Sequence, residues 1–104
     1  NHEIVKGYRN LTNAGNATNL LGGKVRELIA LAVAVTRQCD GCIITHTDAA
    51  IKEGATREEI VEALSVAVAV NAGAALIFSS RVMDAFQTKM SGEARSQKSE
   101  ANKT

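Results

Sequence analysis

Both cysteines of this 104-residue chain, Cys39 and Cys42, lie three apart, and His46 follows four residues after the second. A lone carboxylate, Glu27, stands just before an unbroken apolar run over residues 28–35. Two thiols, an imidazole and a carboxylate within twenty residues are the parts of a thiol redox site or of a metal site. The thiolate is the form that attacks a peroxide or a disulfide, and a helix start or a neighbouring base favours it. If Cys39 opens a helix, Cys42 at i+3 and His46 at i+7 share its face. His46 is then one turn from Cys42 and can take its proton. Glu27 can hold the imidazole in one tautomer, as an orienting carboxylate does in a triad. Cys39 can attack an oxidised Cys42 and close a disulfide.

The helices must bring Glu27 to that line. On one continuous helix Glu27 and Cys39 would be about 18 Å apart. A break near Arg37 changes this, because Glu27 lies ten residues before Arg37 and residue 47 ten after it. An antiparallel hairpin folded there puts Glu27 level with His46, and the expectation is a hydrogen bond between them. Blander readings stay open on spacing alone. Both cysteines could be small core residues, His46 a structural histidine, and Glu27 a helix-start carboxylate. A tetrahedral zinc site is the sharper alternative.

The surrounding chain reads as helical. Ile4, Tyr8 and Leu11 recur at helical spacing and predict a short first helix, followed by a loop from Thr12 to Asn19. Leu20 and Leu21 are expected to dock that loop onto the core. Gly22 and Gly23 precede a helix over about 24–37, apolar nearly all round after Glu27, which predicts burial on every side. The next helix is expected from Cys39 or Asp40 to Gly54, glycine being the usual residue past a helix end. Thr56-Arg-Glu-Glu59 is a capping box. It opens a helix with Ile60, Leu64, Ala67 and Val68 inside, expected to end or kink at Asn71-Ala72-Gly73. A last helix packs Leu76, Val82, Met83, Phe86 and Met90. Residues 91–104 are polar and without periodicity, and predict a disordered tail after a single domain over 1–90.

Bulk properties narrow the function. With 12 Lys and Arg against 11 Asp and Glu the formal charge is +1, which gives no footprint for nucleic acid. No membrane role is expected: the apolar stretch over residues 63–78 is short of the ~20 residues of a span and reads as a buried core helix. The opening Asn-His-Glu-Ile has neither the basic start nor the apolar run of a signal peptide, and a cytoplasmic protein is expected. With no Met at position 1, the natural start is not taken to be Asn1. The apolar fraction is rich in alanine, and small side chains bury little area at roughly 25 cal/mol per Å². Burial is therefore expected to be completed by identical chains.

From residue 20 to about 86 the chain resembles the carboxymuconolactone decarboxylase superfamily, in its alkylhydroperoxidase D-like branch. The words that carry it are Lys24-Val-Arg-Glu-Leu-Ile-Ala-Leu-Ala-Val-Ala-Val, Cys39-Asp-Gly-Cys-Ile-Ile-Thr-His46 and Ala49-Ala-Ile-Lys-Glu-Gly-Ala-Thr-Arg-Glu-Glu-Ile60. The Glu, the two Cys and the His of the family motif fall on Glu27, Cys39, Cys42 and His46. The resemblance implies an all-α fold, a homo-oligomer of three or six chains, and thiol peroxidase or disulfide reductase chemistry without a cofactor. Cys42 would be the nucleophile, Cys39 the resolving thiol, His46 the base and Glu27 its orienting partner. The partners implied are a hydroperoxide and a dithiol reductant of lipoyl or thioredoxin type. Some peroxidase members carry a second histidine just before the second Cys, where this chain has Gly41. It is also about half the length of two-repeat members. The alternatives are a redox-sensing or zinc-binding oligomer without catalysis, and a decarboxylase-like member, although decarboxylases generally lack this Cys pair.

Overall fold

The computed structural model describes the backbone of residues 1–103 and the side chains of residues 1–93. Four helices follow one another: α1 (His2–Asn16), α2 (Gly23–Arg37), α3 (Asp40–Lys52) and α4 (Arg57–Lys103). Among the described residues there is no strand. The chain divides into two units, Asn1–Ala67 and Val68–Thr104, with the boundary inside α4.

In the first unit, α1 opens on Asn1, whose side chain accepts from the Glu3 amide at 2.8 Å. It runs past Thr12, so the loop expected from that residue starts only at Ala17. The Thr12 hydroxyl donates to the Tyr8 carbonyl at 3.1 Å instead of competing with the helix. The helical residues around it outweigh Gly15, which costs only about 1 kcal/mol relative to alanine. Every residue of α1 is exposed, and Leu20 and Leu21 do not dock in the single chain: Leu20 is 87% exposed.

Helices α2 and α3 pack on one another across the short connection Gln38-Cys39. Helix α3 ends as its sequence implies, with Gly54 in the left-handed region at φ 87°. The capping box of α4 is formed in both directions. The Thr56 amide donates to Oε1 of Glu59 at 2.9 Å, and the Glu59 amide to Oγ1 of Thr56 at 3.1 Å. Three further contacts fix the start of α2. Lys24 pairs with Glu59 at 2.8 Å, Arg26 donates to Asn19 at 2.8 Å, and the Glu53 side chain lies where a Cβ on residue 23 would stand. A Cβ at residue 23 would have to displace only the end of the flexible, exposed Glu53 side chain.

Burial is slight. Among the described residues the buried hydrophobic ones are Leu31, Ala34, Ala50 and Ala67. The expectation that α2 is buried all round does not hold for the single chain: Val25, Ile29, Val33 and Val35 are exposed.

The second unit is the remainder of α4. The break expected at Asn71-Ala72-Gly73 is absent, and the helix is continuous. Alanines flank Gly73 on both sides and no proline intervenes, so one glycine is too weak a breaker. The Ser79 and Ser80 hydroxyls are turned back onto the Ala75 and Ile77 carbonyls, both at 2.7 Å. Arg81 lies over the Phe78 ring, 4.4 Å from its centroid. The Met and Phe residues read as core, Met83, Phe86 and Met90, are exposed in the single chain. The stretch Arg57–Glu93 is long and apolar enough, by length and composition, to cross a membrane, and its apolar part is hardly buried in the single chain. The buried core helix expected there is therefore not buried by this chain alone. The backbone of α4 runs on to Lys103 through the segment read as a tail, while the side chains from residue 94 and Thr104 lie outside the described residues.

Candidate functional site

The site is built where α2 hands over to α3. Helix α2 closes on Gln38 in the left-handed conformation, φ 55° and ψ 45°. The Cys39 amide then reaches back five residues to the Ala34 carbonyl at 3.1 Å, and the Gln38 amide to the Val35 carbonyl at 3.3 Å, the two bonds of a Schellman ending. This turn usually takes glycine, because a side chain strains the left-handed region. The sequence has glutamine instead of glycine at the handover, so Gln38 was not visible as a site-shaping residue. Its effect is to deliver Cys39 directly to the start of α3.

Cys39 is the N-cap of α3, with extended backbone at φ −100° and ψ 100°. Its sulfur accepts from the Cys42 amide at 3.2 Å. The two sulfurs are at disulfide distance, with Cα atoms 5.2 Å apart. Cys39 and Cys42 are both half-buried, within reach of a solvent-borne reactant.

Nδ1 of His46 and Oε2 of Glu27 are 2.6 Å apart, a short hydrogen bond between residues nineteen positions apart in the chain. Both side chains are partly shielded, 31% and 24% exposed for His46 and Glu27. The carboxylate that looked buried in the sequence is thus half-buried. Because Glu27 holds Nδ1, the imidazole keeps Nε2 for other work. Glu27 sits in the second turn of α2, behind the start that Lys24, Arg26 and Glu53 pin down.

The four residues singled out by type and spacing therefore come together as two pairs on one helix pair. Cys39 with Cys42 opens α3, and His46 with Glu27 stands one helical turn further along. Among the described residues, no group of three or more His, Cys, Asp or Glu side chains is placed to hold a metal ion. Gly41 occupies the exposed position between the cysteines, with open space where a side chain would stand.

Comparison with known proteins gives the family and the fold. The model of the carboxymuconolactone decarboxylase family matches residues 2–85. An uncharacterized protein of Haemophilus influenzae is 44% identical over 87 residues, which cover 84% of this chain and 77% of that one. An uncharacterized protein of Cupriavidus necator is 32% identical over 79 residues, covering 76% and 70%. A protein of Methanobacterium thermoautotrophicum known from its crystal structure shares the fold with a TM-score of 0.70 and 30% identity, over 78% of this chain and 93% of that one.

Proposed function

Since the chain belongs to the carboxymuconolactone decarboxylase family, we propose that it is a thiol oxidoreductase that reduces hydroperoxides through Cys39 and Cys42. The observation that carries this reading is the 2.6 Å bond between His46 and Glu27, one turn beyond a cysteine pair at disulfide distance. A structural histidine needs no carboxylate partner in line with two thiols, whereas a proton relay does.

In the reduced protein, Nε2 of His46 takes the proton of Cys42, and Glu27 balances the imidazolium through Nδ1. The Cys42 thiolate attacks the terminal oxygen of the hydroperoxide. The O–O bond breaks, the alkoxide leaves with the proton returned by His46, and Cys42 becomes a sulfenic acid. Cys39 then attacks Cys42, releases water and forms the disulfide. A dithiol reductant restores both thiols. No bound cofactor takes part in the cycle.

The reading includes an antiparallel α2–α3 pair and a homo-oligomer of three or six chains. Among the described residues only one leucine and three alanines are buried, a small core against an ordering cost of ~1–2 kcal/mol per residue. Identical chains would cover the exposed apolar residues of α2 and α4.

The test is hydroperoxide consumption with a dithiol reductant. Wild-type protein should turn over and, after one equivalent of peroxide, lose the mass of two protons. Cys42→Ser should be inactive, while Cys39→Ser should still be oxidised once, to a sulfenic acid. A fast first oxidation in Cys42→Ser and none in Cys39→Ser would reverse the roles, and no oxidation in wild type would refute the function.

A further inference from the structure

The carboxylate that holds His46 has a cation for a neighbour. Lys24 stands three residues before Glu27 on α2, and residues three apart share one face of a helix. A lysine there is within reach of the Glu27 carboxylate. Its ammonium rests elsewhere: Nζ of Lys24 lies 2.8 Å from Oε2 of Glu59, at the start of α4.

The Glu59 carboxylate is itself held in place. Its Oε1 accepts from the Thr56 amide at 2.9 Å, and the Glu59 amide donates to Oγ1 of Thr56 at 3.1 Å. The capping box thus leaves Oε2 for Lys24. With 41% and 34% of the two side chains exposed, the ion pair contributes little to stability. Its larger consequence is where it puts the cation.

Resting on the reading of Glu27 and His46 as a proton relay, we infer that Glu59 is a positioning residue for that relay: by holding the Lys24 ammonium at the start of α4, it leaves Glu27 to His46.

Without the Glu59 charge, Lys24 turns to the carboxylate one helical turn along. An ammonium on Glu27 neutralises part of its charge and draws the side chain towards the start of α2. Oε2 of Glu27 is then a poorer acceptor for a proton on Nδ1 of His46. That bond decides which ring nitrogen carries the proton and which stays free to accept one. A plain clamp between the starts of α2 and α4 would behave differently. A clamp is lost equally with either partner, whereas a misplaced cation exists only when Lys24 is present and the Glu59 charge is not.

The experiment introduces isotope-labelled histidine into oxidised protein and reads the ring nitrogens of His46 by NMR, at a pH where their signals are those of neutral imidazole. The chain has two histidines, and the His46 signals are the ones missing in His46→Ala. Wild type is compared with Glu59→Gln, Lys24→Met and the double variant. Glutamine keeps the capping box, and methionine keeps the apolar stem of lysine. Wild type should carry the ring proton mainly on Nδ1. Glu59→Gln should lower the ratio of Nδ1-bound to Nε2-bound proton about twofold, the size one ion pair on a helix surface supports. Lys24→Met and the double variant should match wild type. A wild-type proton mainly on Nε2, an unchanged ratio in Glu59→Gln, an equal fall in Lys24→Met, or no rescue in the double variant would each overturn the inference. Hydroperoxide consumption by the same proteins separates it from the proposed function. The expected ratios in a wild type that consumes no hydroperoxide refute the function and keep the role of Glu59. Consumption with equal ratios in all four proteins does the opposite.

Discussion

Replacing Glu27 by glutamine removes one charge from the site and little else. The side chain keeps its length and an oxygen that can still accept from Nδ1 of His46, so the packing of α2 on α3 should survive. What is lost is the counter-charge at 2.6 Å from an imidazole that must carry a proton while Cys42 is a thiolate. A hydrogen bond to a charged group contributes about 1.5–3 kcal/mol. Both side chains are roughly a quarter to a third exposed. Solvent screening and the retained neutral acceptor therefore place the loss near the low end, about 1.5 kcal/mol. That is about tenfold in the thiolate population at neutral pH, or about one unit along the pH axis. The assay is the rate of iodoacetamide alkylation against pH in a Cys39→Ser background, where only Cys42 reacts and serine retains a cap for α3. The profile should move to higher pH by about one unit in Glu27→Gln, and at least as far in His46→Ala. Unchanged profiles in both variants would show that the helix start alone activates the thiol and that the pair serves packing.

Three further outcomes are expected. Light scattering at micromolar concentration should give a mass several times the 11.0 kDa of one chain, because α2 and α4 leave large apolar residues uncovered; a stable folded monomer would contradict this. Gln38→Gly relieves a left-handed residue at the handover between the helices, and should raise stability by about 0.5–1 kcal/mol in a denaturant titration; a loss would mean that the Gln38 side chain makes a contact of its own. The bond from Lys24, and then that from the Thr56 amide, hold the Glu59 carboxyl below its ordinary range. A carboxyl depressed in the folded state contributes stability above its unfolded value, and that contribution is lost as pH falls through the folded value. The advantage of wild type over Glu59→Gln should therefore be present at neutral pH, fade as pH falls below the ordinary carboxyl value of 4.5, and shrink in high salt; an advantage that does not weaken with acid would exclude the ion pair as its source.

The sequence alone determined what depends on neighbours a few residues apart. Cys39, Cys42 and His46 fall on one helix face because i+3 and i+4 are contacts of any helix. Thr56 and Glu59 close their box for the same reason, and Gly54 ends α3 because it tolerates positive φ. The Glu27–His46 pairing could be anticipated from equal distances on either side of Arg37, but only the folded chain shows the bond, its length and that it engages Nδ1. The turn that makes it possible was not legible, since Gln38 adopts a conformation its side chain disfavours, and only packing of α2 on α3 can offset that. Lys24 and Glu59, thirty-five residues apart, carry no mutual signal in sequence. Which surface covers each apolar residue was not legible either. Apolar periodicity states which residues avoid water, but not which surface covers them. Leu20, Val33 and Phe86 avoid it on no surface of this chain, and α4 runs unbroken past Gly73 because nothing in the tertiary structure turns it there.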